Sequence, residues 1–189
     1  MALDAIEQAF GGPKPDARFR IEHAQVRRLQ DLERMARLGV IASMQPTHAT
    51  SDMPWAGNRV GDERLAGAYA WQKVLDAGGR LALGSDFPVE SADPRLGLYA
   101  AVTRQDLSGT PPGGWLPGER LSRQEALRGF TLDAAYSLFL ERQVGSLAVG
   151  KRADLVVFAE DVMTVPAERI PRVPVDMTFV DGRLVYERN

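Results

Sequence analysis

Apolar positions recur along this chain with two periods, about 3.6 and 2 residues, and the switches between them outline its elements. From Ala2 to Phe10, Leu3, Ile6, Ala9 and Phe10 share one helical face, and Gly11, Gly12 and Pro13 end the run. Arg18 to His23 reads as a short strand with Phe19 and Ile21 on one side. Val26, Leu29, Leu32, Met35 and Leu38 repeat at helical spacing over 26–38, with Gly39 as a C-terminal cap. Val40 to Gln45 is a second strand, closed by Pro46. A polar loop holding Trp55 and Asn58 is expected next, then a helix over 63–76 stopped by Gly78 and Gly79. Leu81 to Asp86 is a third strand, stopped by Pro88.

The order is β-α-β-α-β. Short, mostly apolar strands suit a parallel sheet covered on both faces, joined by right-handed crossovers. The spacing fits an open sheet or an incomplete barrel, and local pattern does not choose between them. Residues 89–121, with Pro111-Pro112-Gly113-Gly114, read as a surface loop containing a short helix near 94–104. Ser122-x-x-Glu125 is a capping box that opens a helix, and Thr131 is expected to cap another running to about Glu141. After Gly145 the period changes. Asp154 to Phe158 and Met177 to Val180 read as strands, and Asp181-Gly182 is a hairpin turn leading into Arg183 to Tyr186.

Composition narrows the class. The 189 residues suffice for a domain with a real core, and the hydrophobic share of 44% and charged share of 25% are ordinary for a globular protein. A net charge of −2, with arginines interleaved among acids, offers nucleic acid no basic face. The lack of cysteine rules out disulfides and thiolate zinc sites and fits a cytoplasmic location. No apolar run approaches the ~20 residues of a membrane span. The first residues lack the basic start and apolar centre of a signal peptide.

Only two histidines occur, His23 and His48, each at or just beyond the carboxyl end of an expected strand, and Asp86 ends the third. In parallel α/β architectures that edge is where ligands bind. Histidine and aspartate suit zinc and similar ions, and a carboxylate beside a metal can accept a proton from water. Each also has a plainer reading. A histidine after a strand is often a hydrogen-bonded structural residue, His48 can be solvated in its polar loop, and Gly84-Ser85-Asp86 can be a simple turn. Glu22 and Gln45 lie near strand ends, as supports for the site or as surface. There is no nucleotide-binding glycine loop, and Ser85 has no histidine at nucleophile spacing.

Ile21-Glu22-His23-Ala24-Gln25, Ser43-Met44-Gln45-Pro46-x-His48 and Gly84-Ser85-Asp86-Phe87-Pro88 together resemble the closing strands of the amidohydrolase superfamily, nearest to its N-substituted formamide deformylase and exoenzyme-regulatory branch. Gly145-Ser146-Leu147-x-x-Gly150-Lys151-x-Ala153-Asp154 and the hairpin from Thr178 to Tyr186 are similar to the small β-sandwich that follows the barrel there. The resemblance implies a partial (β/α)8 barrel, strands six to eight, over 1–143, and a β-sandwich segment over 144–189. It implies a divalent metal, zinc by preference, held by His23 and Asp86. Asp86 would also act as proton acceptor, with His48 facing a small amide substrate and Glu22 or Gln45 behind them. The family's early His-x-His pair, its strand-four carboxylate or modified lysine and its strand-five histidine have no counterpart. Little hydrolase activity is therefore expected from this chain alone, with a homodimer or a complementing N-terminal half as its partner. A non-catalytic relict or interaction module of the same fold is the alternative.

Overall fold

A computed structural model describes residues 1–189. Helix α1 (Ala2–Phe10) leads to strand β1 (Arg20–Glu22), helix α2 (Leu32–Arg37) and strand β2 (Ile41–Met44). Helix α3 (Pro46–Leu65), helix α4 (Trp71–Asp76) and strand β3 (Arg80–Leu83) follow. The three strands form one parallel sheet in the order β1-β2-β3, with Ile21 level with Ala42 and Ala42 level with Leu81. Ile41, Ala42, Met44, Leu81, Ala82 and Leu83 are all buried. Strands β2 and β3 are thus covered on both faces, as their apolar character requires.

Several sequence expectations change. The 46–62 segment is not a loop but the body of α3, which Pro46 opens at the first helical turn and Gly61 interrupts at φ 73°. Its inward face carries only Ala49, Ala56 and His48 as buried side chains beyond Pro46, so no row of large apolar residues marks it. The expected helix over 63–76 is really the end of α3, a turn, and the short α4. The third strand stops at Leu83, and Asp86 lies in the turn beyond it at φ 58°.

Helix α5 (Pro94–Thr103) is no surface feature, because Leu98, Tyr99, Ala100 and Ala101 are buried. The Ser122 capping box opens helix α6 (Arg123–Arg128) as read. Thr131, however, is not a cap. It lies inside a π-helical turn, Gly129–Asp133, that runs straight into helix α7 (Ala134–Ser137), and its hydroxyl donates to the Leu127 carbonyl at 2.6 Å. Strands β4 (Leu155–Phe158), β5 (Val175–Val180) and β6 (Arg183–Glu187) form a separate antiparallel sheet. Ile170 and Val173, both fully buried, anchor the chain leading into β5, and Arg95 of α5 donates to the Val173 carbonyl at 2.6 Å.

Below the amino ends of the strands, the Arg18 guanidinium lies 3.8 Å from the Tyr136 ring centroid and 4.4 Å from that of Phe139. It donates to both carboxylate oxygens of Glu141, at 2.7 and 2.8 Å. Arg80, at the start of β3, covers the other approach to Tyr136 at 3.9 Å. The hydrogen bonds from Arg18 hold the Glu141 carboxyl down to about 2. A carboxyl depressed in the fold stabilises it fully above the ordinary value and loses that contribution as pH falls through the folded value. The thermal midpoint of Glu141→Gln should therefore lie below that of the native chain at pH 6. The gap should close between about pH 4.5 and 2. Melting curves across that range check this, and a gap independent of pH counts against the pairing.

Candidate metal centre

All three parallel strands point their carboxyl ends to the same edge, so the residues that follow them meet there. His23 follows β1 in a tight turn, with the Ala24 N–H donating to the Glu22 carbonyl at 2.7 Å and φ of His23 at 62°. Asp86 also has a left-handed backbone, and its carbonyl accepts from Val89 N–H at 2.8 Å. Non-glycine residues held in that region cost of order 1 kcal/mol each and gather at functional sites. His48 sits in the first turn of α3, not in a solvated loop, and is only 7% exposed.

The side chains converge. One ligand atom from each of His23, His48 and Asp86 lies within 4.8 Å of the others. Asp86 Oδ2 is 3.6 Å from His48 Nε2 and 4.0 Å from His23 Nδ1. The two imidazoles stack with centroids 5.7 Å apart and planes 27° from parallel. His48 Nε2 is buried with no hydrogen-bond partner. A buried polar atom without a partner costs roughly 1–3 kcal/mol, so its place beside a carboxylate and a second imidazole fits a site shaped for a ligand. An imidazole nitrogen and a carboxylate suit a zinc-like cation.

Gln45, 8% exposed, places its accepting Oε1 3.0 Å from His23 Nδ1, the nitrogen that also faces Asp86, which puts the ring's proton there and leaves the Nε2 lone pair free. Glu22 is not brought to the cluster, because its carboxylate accepts from Arg20 Nε at 3.0 Å on the exposed side of β1. Four residues given no role from sequence support the site. Arg27 donates from Nε to the Ala24 carbonyl at 3.1 Å and also contacts Met44 Sδ, which braces the turn carrying His23. Burial pulls its pKa down to about 10. Gln25 Nε2 lies 3.3 Å from His48 Nδ1 and 3.4 Å from Asp52 Oδ2. The Tyr69 hydroxyl donates to that same oxygen at 2.5 Å. Gln25 and Tyr69 are also joined through the backbone, Tyr69 N–H to Gln25 carbonyl, at 2.7 Å. This close pairing needs a glycine at 67, where a Cβ would stand 2.0 Å from the Arg27 carbonyl oxygen. His48 and Asp52 are four apart, one turn on α3, and recognition of that helix would have exposed the pair.

Fold and site together define a mixed α/β protein with a candidate cation site at the carboxyl edge of a parallel sheet. Residues 1–186 match the Amidohydrolase family, and the chain belongs to it. It is 32% identical over 193 residues to N-substituted formamide deformylase of Arthrobacter pascens, covering 100% of this chain and 34% of that one. It is 35% identical over 191 residues to protein LONG AFTER FAR-RED 3 of Arabidopsis thaliana, covering 98% and 32%. An uncharacterized metal-dependent hydrolase from Pyrococcus horikoshii OT3 superposes with a TM-score of 0.75 at 31% identity, over 88% of this chain and 32% of that one. The chain spans about a third of the length of the curated relatives it matches. No helix is long and apolar enough to cross a membrane.

Proposed function

We propose that this chain supplies the closing part of a (β/α)8 amidohydrolase barrel, with β1, β2 and β3 as strands six, seven and eight. Residues 1–143 belong to that barrel and 144–189 to part of a β-sandwich. The reaction is hydrolysis of a carbon–nitrogen bond other than a peptide bond, in a small amide-type substrate. The convergence of His23, His48 and Asp86 within 4.8 Å carries this reading. The relative named as a formamide deformylase and the Pyrococcus protein described as a metal-dependent hydrolase support it.

In this assignment His23 and one oxygen of Asp86 hold a divalent cation, zinc by preference. When bound, such a cation polarises a carbonyl and lowers the pKa of water toward ~7. The other Asp86 oxygen takes a proton from the attacking water. His48 faces the same gap and donates to the substrate oxygen as negative charge develops there. Gln45 keeps the His23 ring oriented, which holds its ligand atom in place through the reaction.

Two protein ligands fall short of the three that catalytic zinc sites use. β1 and β3 each pair on one side only. The active form therefore draws further strands and ligands from a complementing segment or a second copy. Zinc titrated into the metal-free chain against a chromophoric chelator should show one site per chain, lost in His23→Ala. N-formyl and N-acyl amides should turn over near background with the chain alone. Lack of stoichiometric zinc sinks the metal assignment, and brisk turnover by the isolated chain sinks the complementation.

A further inference from the structure

We propose that Gln25, held by Asp52 and Tyr69, fixes His48 as the Nε2–H tautomer, so that this ring enters the site as a hydrogen-bond donor and not as a third metal ligand. The first step is the orientation of the Gln25 amide. Its Nε2 lies 3.4 Å from Asp52 Oδ2 and 3.3 Å from His48 Nδ1. An ionised carboxylate only accepts, so the amide must turn its NH2 end, not its carbonyl, toward Asp52. Asp52 is itself oriented by the Tyr69 hydroxyl, which donates to Oδ2. Burial and the Asp52 charge push the Tyr69 pKa up, so the phenol stays a donor.

One amide hydrogen then serves Asp52 and the other points at His48 Nδ1. That nitrogen must present its lone pair. A neutral imidazole carries a single N–H, which is therefore on Nε2. The Nε2 atom is buried and unpartnered, 3.6 Å from Asp86 Oδ2. An N–H there cannot coordinate a cation, but it can meet an electron-rich oxygen lying over Asp86. Gln25, Asp52 and Tyr69 are thus positioning residues, none of them within the His23, His48 and Asp86 cluster. The consequence for substrate rests on the site reading above, whereas the tautomer stands on hydrogen-bond geometry alone.

Long-range nitrogen–proton NMR of the 15N-labelled, metal-free chain at pH 8 tests it. The chain has two histidines, so His23→Gln assigns the spectrum. The His48 proton should reside on Nε2 in the native chain. Gln25→Glu places an acceptor opposite Nδ1 and should move the proton to Nδ1. Added zinc should shift the His23 resonances directly while the His48 Nε2–H persists. A native ring protonated at Nδ1 overturns the proposal even if the variant fails to fold. So does a folded Gln25→Glu chain with an unmoved tautomer, or loss of the Nε2 proton on zinc binding. Failure of zinc to bind at all, with Nε2–H present, counts against the metal assignment and leaves the relay standing.

Discussion

Asp86→Asn should weaken zinc binding about a hundredfold or more, about 2.8 kcal/mol at 1.4 kcal/mol per decade, while leaving the metal-free fold as stable as before. The substitution separates charge from shape. Asparagine tolerates the left-handed backbone about as well as aspartate, so the φ of 58° at this position adds no strain beyond what the native residue already bears. What disappears is the anion facing His23 at 4.0 Å and His48 at 3.6 Å. A neutral amide oxygen is a poorer ligand for a dication than a carboxylate, and the amide cannot accept a proton from water. A ligand that binds only the native state adds ~2.7 kcal/mol at a hundred times its Kd. Zinc should therefore raise the melting temperature of the native chain and not that of Asp86→Asn. Titration and melting curves run side by side read both effects. An affinity within threefold of native would show that the carboxylate is not a ligand.

Trp71→Ala should be the most damaging core change. Trp71 is fully buried at the start of α4, and the Arg104 guanidinium, equally buried, lies 4.2 Å from its ring centroid. Arg104 has no carboxylate partner. The indoles of Trp71 and Trp115, the latter at 5.2 Å, and the carbonyls of Trp115 and Tyr69, at 2.7 and 2.9 Å, stand in for one. Burial still pulls the Arg104 pKa down to about 9. Truncating a buried tryptophan costs about 3–5 kcal/mol, and losing a desolvated cation–π contact adds up to ~2. Working the other way, the Trp71 indole N–H has no partner, so its removal also relieves a penalty of ~1–3 kcal/mol. The balance is a loss of about 3 kcal/mol, which for a chain of this length lowers the melting midpoint by ~10 °C. Trp71→Phe, which keeps an aromatic face and discards the unpartnered N–H, should lose less than half as much. Urea and thermal unfolding measure both, and a loss under 1 kcal/mol for the alanine variant would contradict this account. Because Arg104 holds the Tyr69 carbonyl, Trp71→Ala should also loosen the support beneath Gln25 and Asp52.

Much of the frame is legible without coordinates. Strand and cap signals are local, and the chain states them plainly: apolar runs at Ile21, Val40–Met44 and Leu81–Leu83, the Ser122 box, and the Asp181-Gly182 turn. The meeting of His23 and Asp86 at one edge was legible too, because strand ends in a parallel sheet share that edge. Helix α3 was not, since its buried face is made of Ala49 and Ala56 and its interior includes Pro54 and Gly61. With α3 hidden, so were the burial of His48 and its alignment with Asp52.

Linear pattern by itself therefore determined which segments form the parallel sheet and which three side chains stand at its rim. Tertiary structure alone decided that Gln25 and Asp52 meet behind His48, and that an arginine lies between two indoles in the core. The physical reason is range. Hydrophobic period and turn chemistry act between residues a few positions apart, whereas a hydrogen bond from residue 25 to 52 or a stack of 71 on 104 exists only after distant segments have packed.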